Sequence, residues 1–259
     1  MNKIILKPGK DRSVFRYHPW IFSGAIARAD GHPQEGELVK VYSSDNRYLA
    51  TGHCQIGSIA VRILTFTDEP INYSFWKKRI EKAYQKREAI GLTPTPDNNV
   101  FRLVHGEGDN LPGLVIDYYA GVAVIQFHSV GMFLEKNNIV KALSEVLGSQ
   151  LTAIYDKSEG TLPYKAAIEP KNGYLYGKAE NFIALENGLK FNVDWLEGQK
   201  TGFFIDQREN RKLLEKYAYR KQVLNMFCYT GGFSFYAMRG GAESVDSVDV
   251  SARAIELTN

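Results

Sequence analysis

The chain has 259 residues, room for one large domain or two to three small ones. At 44% hydrophobic, 24% charged and a formal net charge of +3, it has an ordinary soluble globular composition that permits a nucleic-acid partner without demanding one. Two cysteines, Cys54 and Cys228, in no ligand spacing argue against a disulfide framework or a zinc site, and no apolar run approaches the roughly 20 residues of a membrane span, so the expectation is a cytoplasmic protein with no metal and no membrane.

Residues 1–70 are strand-rich. "KIILK", "GELVKVYSS", "RYLATGHCQ" and "SIAVRILTF" are short β-type runs separated by Gly, Asp, Asn and Pro, and "SSDNRY" is a hairpin signal. So many strands in so short a segment predict a small barrel. Lys7, Lys10, Arg12 and Arg16 are candidates for meeting phosphates, although for any single one of them a solvated loop face is the better reading. His18 could stack on a base, or be a structural residue beside Pro19 and Trp20. Cys54 reads as a small buried residue.

After a boundary at 68–72, Trp76, Ile80, Ala83, Tyr84 and Ile90 recur at helical spacing and predict an amphipathic helix over 72–92 that ends at Gly91. Its other faces carry Lys77, Lys78, Arg79, Lys82, Lys86 and Arg87. A solvated surface and an RNA-backbone contact account for these cations equally well. Beyond the turn-rich 93–99, strands around one helix at 131–148 predict a small α+β domain from about Phe101 to Leu185. His105, Glu107, Asp109 and Asp117 read there as solvated loop groups rather than metal ligands. Residues 158–181, with two prolines and few apolar side chains, read as a long loop.

In "ENGLKFNVDW" apolar Leu189, Phe191 and Val193 alternate around Asn187-Gly188, the signature of a hairpin. "GQKTGFFIDQRENR" then crowds polar groups around Phe203, Phe204 and Ile205, and Asp206 with Glu209 three residues on suits a capping box. Next, a strand at 223–227, a glycine turn "YTGGFS", a short helix, a strand at 245–250 and a new helix at Ser251 make a βαβ unit. Ligands sit at the carboxyl ends of such strands. Gly231 and Gly232 allow the sharp turn, and Asp249, about eighteen positions after Gly231, suits ribose hydroxyls. The turn lacks the third glycine of G-x-G-x-x-G that packs under a pyrophosphate. A nucleoside cofactor without one, S-adenosylmethionine (SAM), fits better. The plain alternative is a glycine turn in an unliganded α/β sheet.

"GQKTGFFIDQRENR", "VLNMFCYTGGFSFYA" and "SVDVSARAIELTN", in that order, resemble successive cofactor motifs of the bacterial class I SAM-dependent methyltransferases that form 5-methylcytosine in 23S ribosomal RNA, and the upstream two thirds is similar to that family as well. "HPWIFSGAI" is the stretch most like the family's PUA domain, a compact RNA-binding barrel. The resemblance implies an α/β and α+β multidomain chain: a PUA-like β-barrel over 1–70, a linker helix and small central α+β domain over 71–185, and the start of a Rossmann-like SAM-dependent methyltransferase domain over 186–259. It implies SAM contacts from Lys200, Thr201, Phe203, Asp206, Arg208, Phe227, Tyr229, Thr230, Gly231, Gly232, Phe233, Asp249 and Ser251. Large-subunit ribosomal RNA is the implied partner, with Lys7, Lys10, Arg12, Arg16, His18, Lys77 and Lys78 as candidate RNA contacts; a homodimer is left open. On the same resemblance the catalytic cysteine lies beyond Asn259, the two-stranded SAM domain is expected to be truncated, and Cys228 packs in the cofactor turn. Three rivals stay open: methylation of a guanine nitrogen, which needs no cysteine; an RNA-binding assembly factor without methyl transfer; and a nicotinamide oxidoreductase, disfavoured by the missing third glycine.

Overall fold

The computed structural model describes residues 1–163, 168–180 and 182–258. Its contacts group into two compact units, one of residues 1–91, 102–117 and 122–178, the other of residues 92–101, 118–121 and 179–259. The expected three-part division is finer, and the barrel and most of the central elements fall together in the first unit.

That unit opens with β1 (Asn2–Leu6), α1 (Arg12–Phe15), β2 (Trp20–Phe22), β3 (Ile26–Asp30), β4 (Leu38–Tyr42), β5 (Tyr48–Cys54) and β6 (Ile59–Thr65). The strands pair in the order β2-β6-β5-β4-β1-β3. Laid flat, six strands would set β2 and β3 roughly 24 Å apart. They are joined by Ser23–Ala25 alone, a link that reaches about 14 Å. The sheet must therefore curl, and alternate side chains turn inward: Ile4, Leu6, Ile21, Val39, Val41, Val61 and Ile63 form one core with Val14 of α1. Four of these strands follow the runs read from the sequence. β2 and β3 were not read, because three residues are too few to set a period and Ala-Arg-Ala lacks β-branched side chains. Cys54, expected to be buried, is half-buried.

The predicted helix is α2 (Tyr73–Ala89), where the Asn72 side chain accepts a hydrogen bond from the Phe75 N–H. Phe75, Trp76, Ile80 and Ala83 are buried. Ile90, expected on that face, is 69% exposed because the helix has ended and Gly91 turns left-handed at φ 70°. Next come β7 (Val100–His105), β8 (Leu114–Tyr119), β9 (Val122–Phe127), α3 (Val130–Leu134), α4 (Lys136–Leu147), β10 (Ala153–Asp156) and β11 (Gly173–Gly177), with sheet order β11-β10-β9-β8-β7. Two findings depart from expectation. The single helix over 131–148 is two, meeting at Glu135, and the expected loop over 158–181 contains β11, an edge strand antiparallel to β10. Residues 164–167 and 181 of that loop lie outside the described residues.

In the second unit β12 (Ile183–Glu186) and β13 (Leu189–Asn192) form the predicted hairpin. Asn187 at φ 48° and Gly188 at φ 77° give the tight turn its two left-handed residues. After α5 (Arg208–Tyr217), β14 (Gln222–Met226) runs parallel to β15 (Ser244–Val248) through α6 (Gly232–Arg239), and α7 (Ala252–Thr258) follows. The βαβ unit is as read, with β15 ending two residues earlier than expected; Val250 is almost fully exposed. Among the described residues no helix is long and apolar enough to cross a membrane.

Candidate cofactor site

Between β14 and α6 the backbone reverses through three left-handed residues, Phe227, Tyr229 and Gly231. Gly231 needs to be glycine twice over: its φ is 70°, and a Cβ there would lie 2.6 Å from the Thr258 methyl. A Cβ on Gly232 would approach Arg211 Cδ at 3.2 Å. The turn is fastened from both sides. The Cys228 N–H donates to Val248 O at 3.0 Å and the Gly231 N–H to Cys228 O at 2.9 Å. From the end of β15, Asp249 accepts the Ser251 N–H at 2.9 Å and the Tyr229 N–H at 2.8 Å. These two N–H groups, Ser251 first, hold its carboxyl below the usual aspartate range. Each oxygen keeps lone-pair capacity for a hydroxyl.

Tyr229 ties a second segment to the turn. Its hydroxyl accepts the Gln199 N–H at 3.0 Å and donates to Gly202 O at 3.1 Å. The loop 199–202 is thereby held against the glycine turn, with Lys200 left-handed at φ 54° and exposed. Between the turn and the segment 203–211 lies a cavity of about 230 Å³ lined by Phe203, Phe204, Gln207, Arg211, Phe227, Cys228, Tyr229, Thr230, Gly232 and Phe233. Half of its lining residues are aromatic, and Gly232 and Phe233 at the start of α6 are among them.

Of the residues named from sequence, Phe203, Phe227, Tyr229, Thr230, Gly232 and Phe233 line this cavity, and Gly231 and Asp249 build the turn beside it. Others serve differently. Thr201 is buried, its hydroxyl 2.8 Å from the Tyr119 hydroxyl. Arg208 pairs with Glu186 at 3.3 Å and also donates to Val100 O. Ser251 Oγ accepts the Ala254 N–H, so it caps α7. Asp206 is exposed and bonded to the Gln207 amide. The expected capping box is not formed: a turn of 3-10 helix over Ile205–Gln207 carries the chain past the Asp206 position, and α5 starts behind Gln207 without a side-chain cap.

Phe204, Gln207, Arg211 and Cys228, which are not among the SAM contacts named from sequence, also line the wall. The first three recur three and four apart, a helical period that would have put them on one face. Arg211 grips buried Glu186 through two bonds of 2.8 and 2.7 Å, donates to Phe204 O, and lies over the Phe203 ring at 4.6 Å. Tyr236 also donates to Glu186 at 3.0 Å; burial, then the Glu186 charge, pushes its phenol up to about 12. This network fixes the cavity wall from behind. Burial, then the Asp249 charge, raises the Cys228 thiol.

The candidate RNA residues lie in the first unit. Lys7, Lys10, Arg12, Arg16 and His18 are all exposed, and Lys7 donates to Gly24 O at 3.0 Å. Lys77 is taken by Glu145 at 2.8 Å; Lys78 is exposed. The acids read as solvated are instead paired. Asp109 holds Arg87 through bonds of 2.6 and 2.7 Å, Asp117 holds Arg102 at 2.8 and 2.9 Å, and Glu107 accepts from Trp20 and Arg62. Glycine-rich flanks made this segment look like an open loop. Among the described residues no group of three His, Cys, Asp or Glu is placed to hold a metal ion.

Comparison with known proteins agrees with this geometry. Residues 4–66 match the PUA-like domain family and residues 101–257 the S-adenosylmethionine-dependent methyltransferase family. Proteins named ribosomal RNA large subunit methyltransferase I are similar throughout: that of Vibrio vulnificus (strain CMCP6) is 40% identical over 260 residues and that of Shewanella denitrificans 41% over 263, each alignment covering 98% of this chain and 64% of the relative. The chain thus spans a little under two thirds of these relatives' length. A Streptococcus mutans structure provisionally described as a SAM-dependent methyltransferase superposes with a TM-score of 0.83 at 25% identity, covering 100% of this chain and 66% of that one. A second structure, provisionally described as a methyltransferase and crystallised with S-adenosylhomocysteine (SAH), does so at 0.84 and 25% identity, covering 100% and 65%. The methyltransferase match takes in more than half of the sequence, including the glycine turn, Asp249 and the whole cavity wall, so this chain belongs to the S-adenosylmethionine-dependent methyltransferase family and carries a PUA-like domain ahead of that match.

Proposed function

We propose that this chain supplies the cofactor-binding turn and RNA-binding surface of a methyltransferase that forms 5-methylcytosine in large-subunit ribosomal RNA. The observation that carries the reading is similarity of about 40% identity, along 98% of the chain, to proteins named ribosomal RNA large subunit methyltransferase I. In this reading Asp249 receives the ribose hydroxyls, Phe203, Phe227 and Phe233 enclose the adenosyl and methionyl parts, and Gly231 and Gly232 let the backbone approach. The aromatic cavity and the one carboxylate at its edge suit a nucleoside without a pyrophosphate. SAM, when bound, supplies the methyl group. The three-part division at 70 and 185, with a central domain helping to shape the RNA cleft, belongs to the same proposal.

Cytosine C5 becomes nucleophilic only after a thiolate has added at C6. Neither thiol of the chain is poised for that. Burial, then Asp249, raises Cys228; burial, then Glu35 and Glu37, raises Cys54. The proposal therefore assigns the nucleophile to neither. Protein expressed from the complete gene, incubated with methyl-labelled SAM and unmodified large-subunit RNA, should place label in 5-methylcytidine, and Cys228→Ser should retain it. Label in a methylguanosine would replace the cytosine reading; SAM binding without label in any nucleoside would refute methylation of this RNA.

A further inference from the structure

Tyr229 lines the cofactor cavity, yet most of its polar groups are engaged elsewhere. Its N–H donates to Asp249 at 2.8 Å and its carbonyl accepts the Thr258 hydroxyl at 3.2 Å. Its ring meets the Phe204 ring edge-on, with centroids 5.2 Å apart, and its hydroxyl joins the Gln199 N–H to Gly202 O. The backbone that allows this is left-handed, φ 50°, a conformation costly for a residue with a Cβ and kept where the surroundings hold it. Burial raises the phenol, opposed by the Gln199 N–H and aided by the charges of Asp194 and Asp249. The hydroxyl therefore keeps its proton for Gly202 and a lone pair for Gln199.

The segment gripped by that hydroxyl is built as one piece around Asp194. The Asp194 carboxylate accepts the Leu196 and Glu197 N–H groups at 3.1 and 3.0 Å, and its carbonyl accepts the Gly198 N–H at 3.0 Å. The Gly202 N–H returns to Gln199 O at 2.8 Å. Gly198 leaves room for the tyrosine, since a Cβ there would stand 2.8 Å from its hydroxyl, and Gly202 turns at φ 114° against Asp194. Two further ties hold the segment elsewhere, Thr201 to the Tyr119 hydroxyl at 2.8 Å and Asp194 to Arg253 at 3.4 Å. Towards the glycine turn it is held by Tyr229, and Phe203 and Phe204 of the cavity wall follow directly at its end.

On the reading that this cavity takes SAM, we propose that Tyr229 is a positioning residue for the cofactor: its hydroxyl sets the 198–202 segment, and through it Phe203 and Phe204, in the place that encloses SAM bound at Asp249. Ring and hydroxyl divide the work. The ring fills the wall, which a phenylalanine would do equally, whereas the two ties need the oxygen.

The test titrates SAM and SAH calorimetrically into protein expressed from the complete gene. Tyr229→Phe keeps the ring and its contact with Phe204 but removes both ties, so affinity for each ligand should fall about tenfold, the worth of one to two ordinary hydrogen bonds. In methyl-transfer assays the loss should sit in the KM for SAM, with kcat at saturating SAM and the KM for RNA within about twofold of the parent. Amide exchange across 198–204 should quicken in the variant while β14, β15 and α6 keep the parent's protection. Unchanged affinity in Tyr229→Phe would overturn the proposal and leave the cofactor reading intact. A loss accompanied by faster exchange throughout β14, β15 and α6 would also overturn it, by making the hydroxyl a support of the fold. No binding of SAM by the parent would remove the cofactor reading and the proposal together. Weaker binding in the variant, with no methyl transfer to RNA by the parent, would remove the RNA reading alone and leave the role of Tyr229 standing.

Discussion

Asp249 does two things at once. It fastens the turn through the Tyr229 and Ser251 N–H groups, and it stands ionised at the strand end where ribose is expected. Asp249→Ala should weaken SAM binding roughly 10- to 100-fold, the worth of one or two hydrogen bonds to a charged acceptor, as measured by calorimetric titration; unchanged affinity would remove the residue from the site. A second residue speaks for the fold instead. His53 is 2% exposed, stacked on Trp76 with ring centroids 6.1 Å apart, and burial lowers its pKa from 6.5 to about 4. It is therefore neutral in the folded chain, while the unfolded chain binds its proton below about pH 6.5. Its contribution is fully present above that pH and is lost as pH falls towards 4, about 3 kcal/mol over the whole window. Urea midpoints at pH 7 and pH 4.5 should show His53→Phe losing less stability on acidification than the parent. Equal losses would mean that His53 takes up its proton without opening the packing.

At the scale of elements, the glycine turn separates two substitutions that look alike in sequence. Gly231→Ala must hold φ 70° and meet Thr258, and should cost about 1–2 kcal/mol. Gly232→Ala has no left-handed requirement but presses on Arg211 Cδ, next to a guanidinium pinned on Glu186, so it should cost up to about 1 kcal/mol, less than Gly231→Ala. Thermal unfolding of both variants checks the order. Behind that turn, Arg211→Met would leave Glu186 buried with only Arg208 as cationic partner and should cost about 3–5 kcal/mol, part of it recovered by adding Glu186→Gln. This network also marks what was legible. The Asn187-Gly188 hairpin and the βαβ unit follow from alternation and turn chemistry within a dozen residues, and both were read correctly. The Glu186–Arg211 pair joins positions 25 apart, and the Asp109–Arg87 pair 22 apart; partners at such separation are chosen by packing, which no local pattern carries. The capping box failed for a related reason: "DQRE" has the right residues, but a 3-10 turn moved the N-cap from Asp206 to Gln207. Of the site, the glycines, Asp249 and the aromatics were readable as motif. Phe204, Gln207, Arg211 and Cys228 became wall residues only once α5 was laid against the turn.

Over the whole molecule the net charge is +3, too small to draw RNA to every face alike. Any RNA contact must then be local, and the chain offers two basic stretches that sequence reasoning named as candidates, 7–16 and the outer face of α2. The structure treats them differently. On α2, Lys77 is neutralised by Glu145, and Lys86 and Arg87 by Asp109, so a phosphate reaching these three would have to displace a carboxylate, while Lys78 and Lys82 stand exposed. Arg12 and Arg16 instead stand exposed beside outward-facing rings. Each cation that truly meets a phosphate releases a counterion and steepens the fall of log affinity with log salt by about 0.7 for a single strand. The double variant Arg12→Gln, Arg16→Gln should therefore flatten that slope by about 1.4, whereas Lys77→Gln, with its partner Glu145 left behind, should leave it nearly unchanged. Titration of a single-stranded RNA between about 50 and 200 mM salt decides between the two faces: equal flattening from both variants would spread the RNA across α2 as well, and flattening from Lys77→Gln alone would move the contact there.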